Sequence, residues 1–174
     1  MINIHKQQSL LLIILIIVVL LTACGFKLRG QAATLPFKTM YVTAPDGHTI
    51  GIEMERMIKA TPTTRLVDST AEAEATLDII SAVNERAILS LSGGGRVRDF
   101  NLIYRVNYRV LDNKGIEIMP NTEISLTRVL PFLDAQILAK ESEERLLAKD
   151  MQSDAIQQIL WRLSTIKFPA ESTQ

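Results

Sequence analysis

Few residue types in this chain are able to do covalent chemistry, and they are scattered. Cys24 is the only cysteine among 174 residues, so an internal disulfide and a thiolate metal cage are both excluded. His48 lies in the turn-like stretch "PDGH" with no serine motif near it. "GGGR" at Gly93–Arg96 lacks the Lys-Ser/Thr of a phosphate loop and falls between extended segments rather than before a helix. Glu141, Glu143 and Glu144 cluster at the start of a helical pattern, where they favour the helix dipole better than they resemble a catalytic carboxylate pair. No metal-ligand spacing occurs. What remains is basic. Arg86, Arg96, Arg98, Arg105 and Arg109 stand against only Glu85 and Asp99 in the same stretch, a local positive excess. Guanidinium groups suit phosphate because they donate paired hydrogen bonds. The plainer reading of these arginines is a solvated strand face that resists aggregation.

Cys24 has a context of its own. Leu10–Leu21, "LLLIILIIVVLL", is a run of 12 apolar residues. A membrane-spanning helix needs roughly 20, whereas an export signal needs about 7–15 after a basic leader. His5 and Lys6 supply a weak leader, and no acid precedes Cys24. "LTAC", Leu21–Cys24, resembles the lipobox of bacterial lipoproteins. The resemblance implies cleavage before Cys24, a diacylglycerol on its thiol and an acyl group on the new amino terminus, hence a covalent lipid anchor and no other cofactor. One acyl chain binds membranes only marginally, and several hold firmly. A retained single-span anchor and an inert buried cysteine are the alternatives. Gly25, in place of the Asp that resembles an inner-membrane retention signal, favours the outer membrane on its periplasmic side.

The chain therefore divides into a removed signal at 1–23, a lipidated terminus and tether at 24–36, one domain at 37–168 and a short polar tail at 169–174. Lys and Arg total 19, as do Asp and Glu, so no global field steers the protein to nucleic acid.

The elements that position these residues follow from periodicity. Phe37–Ala44 is β-branched and aromatic, a first strand. Ile50, Met54, Met57 and Ile58 have helical spacing, with Asp46 or Thr49 as the cap and Pro62 as the stop. "TTRLVDS" is an edge strand or a loop. Ala75–Leu91 is extended, with Leu77, Ile79 and Val83 on one face and Asp78, Ala82 and Asn84 on the other. "LSGGGRV" turns the chain. Phe100, Leu102, Tyr104, Val106, Tyr108 and Val110 then alternate with Asn101, Ile103, Arg105, Asn107 and Arg109. "DNKG" makes a second hairpin turn. Ile116–Leu130 is extended, and Pro120 marks an edge or bulge. Leu147, Met151, Ala155, Ile159 and Leu163, widened by Ile156 and Leu160, predict a long amphipathic helix over about Ile137–Ser164. Lys140–Glu144 and Glu141–Arg145 are expected i,i+4 pairs on its outer side. The fold class is α+β: a two-layer sandwich, two helices on one face of a mostly antiparallel sheet of about four strands.

At this point the residues resemble a family. "CGFKLRG", Cys24–Gly30, with Gly25, Phe26, Leu28, Arg29 and Gly30, is similar to the opening of the mature LPS-assembly lipoprotein LptE family. "ILAKESEERLLAKDM", Ile137–Met151, resembles the start of that family's last helix. The resemblance implies an outer-membrane lipoprotein that is not an enzyme. It implies a plug inside the LptD β-barrel that assists insertion of lipopolysaccharide into the outer leaflet and binds lipopolysaccharide itself. The family's basic residue in the last helix falls on Lys140. Its basic residue in the hairpin turn falls at Gly93, with Arg96 and Arg98 just beyond. Arg96, Arg98 and Lys140 are thus the expected lipopolysaccharide contacts. The rival functions are a free-standing periplasmic lipid-binding lipoprotein and an envelope lipoprotein esterase.

Overall fold

The computed structural model describes residues 34–132 and 137–167. Five strands form one sheet in the order β2-β1-β3-β4-β5, with β1 Thr39–Thr43, β2 Arg65–Leu66, β3 Ala75–Leu91, β4 Val97–Asp112 and β5 Glu117–Pro131. Helix α1, Thr49–Lys59, follows β1, and helix α2, Ile137–Ser164, is the last element among the described residues. The α+β sandwich and its antiparallel β3-β4-β5 meander are as the sequence indicates. The strand count is five rather than about four, because "TTRLVDS" supplies β2, a two-residue edge strand parallel to β1. Strand β1 also runs parallel to β3, which the intervening α1 crossover permits.

Each helix lays one stripe on the sheet. Ile50, Met54 and Ile58 of α1 are buried, as are Met151, Ala155, Ile156, Ile159, Leu160 and Leu163 of α2. From β4 they meet Leu102, Tyr104, Val106, Tyr108 and Val110. Fully burying one such aliphatic side chain contributes about 1.5–3 kcal/mol. Leu35, in the segment expected to be tether, is also buried in this core.

Strand β3 departs from the expected alternation. Its register with β4 shifts between Ile79 and Ser81, so Ile80 is an extra residue. A one-residue bulge exchanges the faces of every residue beyond it. Ala82 therefore points into the core, and Val83, expected inside, is exposed. Pro120 behaves as its chemistry requires. It sits on the edge strand, opposite a register shift between Tyr108 and Val110. Neither expected cap holds α1. The residue before it is His48, which makes no side-chain cap bond, and Thr49 Oγ1 instead donates to Gln152 Oε1 on α2. The α2 bounds match expectation, but the helix begins a turn earlier than its acids. Its first turn holds none, so Glu141, Glu143 and Glu144 lie in the second.

Candidate functional site: the basic end of the hairpin

Cys24 and the opening residues Gly25, Phe26, Leu28, Arg29 and Gly30 lie outside the described residues. The other candidates converge on one end of the fold. The β3–β4 turn closes by Ser92 N–H donating to Arg96 O at 2.7 Å and Gly95 N–H to Ser92 O at 2.9 Å. Gly95 has φ +75°, a conformation that side chains resist. Arg96 and Arg98 follow at once. Lys140 sits in the first turn of α2.

Two contacts show that this turn lies at the hairpin end. Arg86 on β3 meets Glu144 on α2 at 3.0 Å. Further down α2, Gln152 Oε1 accepts from the Tyr104 hydroxyl at 3.5 Å. Arg86 pairs in register with Leu102, nearer the hairpin turn than Tyr104. Helix α2 therefore runs from the hairpin end towards the opposite end. Lys140, one turn before Glu144, is about 6 Å nearer its start.

The charges are less free than the sequence suggests. Arg98 Nε donates to Asp99 Oδ2 at 2.9 Å and to Ser90 Oγ at 3.2 Å. Ser90 also donates to Asp99. The Ser90 hydroxyl first, and then Arg98, hold the Asp99 carboxyl below the usual carboxylate range, so Asp99 is ionised near neutrality. Among the described residues, both Arg98 side-chain bonds use Nε. Lys140 Nζ pairs with Glu143 at 2.7 Å, not with Glu144, and its side chain is only 15% exposed. Arg145 Nε donates to the Glu141 backbone carbonyl rather than to its carboxylate. Glu144 is taken by Arg86, a cross-layer partner that i,i+4 reasoning does not see.

Arg105 and Arg109 are elsewhere, on the sheet face that carries no helix. Arg105 pairs with Glu85. Arg109 joins Asp78 at 2.8 Å and Glu117 at 3.3 Å. Asn107 donates to Ser81 on the same face. The local positive excess is thus offset by acids from other strands and from α2. At the hairpin end Arg96, Arg98 and Lys140 lie near the Arg86–Glu144 bridge, Arg98 paired with Asp99 and Lys140 with Glu143.

His48 borders an open depression of about 530 Å³ beside Asp46, Thr49 and Glu55, with no serine or cysteine lining it. Among the described residues no group of three or more His, Cys, Asp or Glu is placed to hold a metal, and no helix is long and apolar enough to cross a membrane.

Comparison with known proteins gives one family. The family model "LptE: Lipopolysaccharide-assembly" matches residues 37–163. The LPS-assembly lipoprotein LptE of Pectobacterium atrosepticum is 25% identical over 152 residues, covering 84% of this chain and 80% of that one. The solution structure of lipoprotein B from Nitrosomonas europaea is 53% identical, with a TM-score of 0.71 over 80% of this chain and 90% of that one. The crystal structure of rare lipoprotein B from Shewanella oneidensis shares the fold at 24% identity, with a TM-score of 0.63 over 73% of this chain and 94% of that one. With the match running from the end of the tether almost to the end of α2, across both helices and all five strands, the chain belongs to the LptE lipopolysaccharide-assembly family.

Proposed function

We propose that the protein is a non-enzymatic lipoprotein of the outer membrane, anchored through an acylated Cys24 on the periplasmic side after removal of residues 1–23. In this reading it plugs the lumen of an LptD-type β-barrel and binds the lipopolysaccharide that the barrel inserts. The family match across residues 37–163 carries the reading. Two physical features support it. The helix-free face of the sheet carries paired polar groups, Arg109 with Asp78 and Glu117, Asn107 with Ser81, and Arg105 with Glu85, beside the exposed Val83 and Val129. Such a face suits the polar, hydrated inside of a barrel better than an apolar partner. The rim of Arg96, Arg98 and Lys140 offers donors to the phosphates of lipopolysaccharide, and charge-assisted bonds of this kind contribute about 1.5–3 kcal/mol each.

The test of the plug is purification of the full chain from native membranes in mild detergent. A large outer-membrane barrel should come out in fixed ratio with it. Recovery of the chain alone, with the barrel in other fractions, would support a free-standing lipid-binding lipoprotein instead.

A further inference from the structure

Strand β3 is much longer than one of its two neighbours. On one side it pairs with β4 from Ala75 to Leu91, but on the other β1 meets only Ala75–Asp78 and stops at Thr43. Among the described residues no strand lies beside β3 beyond Asp78, so its backbone donors and acceptors on that side form an open sheet edge. Where β1 stops, a depression of about 470 Å³ opens between Pro45, Ile80 and Arg109. Between the register shifts at Ile80 and Leu89, Ser81–Ile88 pairs with β4 without interruption. Those residues make roughly 26 Å of regular edge. Protein edges are commonly blunted by proline, lysine or outstanding charges. Strand β5 is blunted in this way, with Pro120 and Pro131 towards its ends and Glu123 and Arg128 between them. Ser81–Ile88 contains no proline and no lysine. Its two charges are drawn inward, Glu85 to Arg105 on β4 and Arg86 to Glu144 on α2. The same strand exposes aliphatic side chains that gain nothing from water, Ile80, Val83, Ile88, Leu89 and Leu91.

We propose that this edge is a strand-addition site whose occupant is an extended, uncharged segment of the barrel partner, lying beside β3 in the position that β1 vacates; the choice of partner rests on the plug reading above. An added strand binds through main-chain hydrogen bonds and is selected through its alternate side chains. A lipid supplies no such ladder of donors and acceptors. The segment has to come from outside the barrel wall, because the strands of a closed barrel have no free edge. Glu85 and Arg86 are already paired, so charge opposite them is not rewarded, whereas apolar residues would cover Val83 and Ile88. A second copy of this chain is the poorer match. Two-fold antiparallel pairing about the middle of Ser81–Ile88 sets Glu85 opposite or diagonal to its own copy, and like charges so placed repel.

The test is amide hydrogen exchange on the full chain, alone and in the complex purified from native membranes. In an antiparallel edge strand alternate residues turn their N–H groups outward. In the chain alone the outward amides of Ser81–Ile88 should exchange fast, and in the complex the same alternate amides should slow by at least about tenfold. In cells, p-benzoylphenylalanine at position 83 should cross-link the chain to the barrel on irradiation. Outward amides that stay fast in a complex containing the barrel would overturn strand addition and leave the plug reading standing. Purification without a barrel would overturn both. Outward amides already slow in the chain alone would overturn the assigned occupant, in favour of a second copy if the slowing depends on concentration and of the chain's own segment if it does not. A cross-link to a second copy, or none to the barrel, would overturn it as well.

Discussion

Arg86 on β3 and Glu144 on α2 are joined by a 3.0 Å ion pair that ties the sheet to the helix layer at the hairpin end. The same guanidinium lies over Phe100, so it acts through two contacts of different kind. Both partners are partly solvated, and the ion pair contributes less than about 1 kcal/mol. The aromatic contact adds about 0.5–1 kcal/mol. Glu144→Ala should therefore destabilise by less than about 1 kcal/mol, and Arg86→Ala by more, roughly 1–2 kcal/mol. Urea unfolding of the two variants and their double mutant checks this. Equal losses would mean that the Phe100 contact contributes nothing.

Gly51 on α1 is a packing residue. A Cβ there would stand 2.8 Å from Ala44 Cβ. Helix propensity alone favours Gly→Ala by about 1 kcal/mol. The expectation here has the opposite sign, a loss of about 1–3 kcal/mol for Gly51→Ala because the helix must move off β1. Gly94→Ala, with nothing within 4 Å, should change little. Denaturant midpoints decide it, and a stabilised Gly51→Ala would refute the close approach.

Tyr104 sets an alkaline limit on stability. Burial first, and the Glu53 charge second, push its hydroxyl up to about 12. An unfolded tyrosine ionises near pH 10. Between about pH 10 and 12 the folded chain holds a proton that the unfolded chain releases. Its contribution is thus intact below pH 10 and falls as pH rises, by about 1.4 kcal/mol per unit. Burial pushes Tyr108 in the same direction, with Arg162 opposing. Unfolding free energies of wild type and Tyr104→Phe measured from pH 9 to 12 should converge with rising pH. Parallel curves would rule out a buried, neutral Tyr104.

Much of this fold was legible because periodicity is a local property. The stripe from Leu147 to Leu163 and the alternation from Phe100 to Val110 each need only their own segment. The misreadings share a cause. Val83 was placed inside because the extra residue Ile80 exists only relative to β4. The pairing of Lys140 with Glu144 failed because Arg86, distant in sequence, takes Glu144. The arginine excess looked unbalanced because Asp78, Glu117 and Glu144 come from outside the stretch counted. At the candidate site, the basic residues were visible as types. The neutralising partners and the uncovered Ile88–Leu91 strip required the tertiary register.

Cys24 is expected to be the acylated amino terminus. The basis is "LTAC" after an apolar run of signal length. Mass spectrometry of the protein from membranes should show residues 1–23 gone and Cys24 carrying lipid. A free thiol or a retained leader would remove the anchor from the proposed function.

The most direct measurement is lipopolysaccharide binding, alongside thermal melting, for Arg96→Asp, Arg98→Asp and Lys140→Asp, singly and together. The triple variant is expected to bind at least about tenfold more weakly, since each lost charge-assisted bond is worth about 1.5–3 kcal/mol. Arg98→Asp should melt close to wild type, because its side chain is 65% exposed. Lys140→Asp should melt lower, because it places a second acid beside Glu143 at a mostly covered position. Undiminished binding by the folded triple variant would contradict the account and move the phosphate site away from the hairpin end, to the face carrying Arg105 and Arg109.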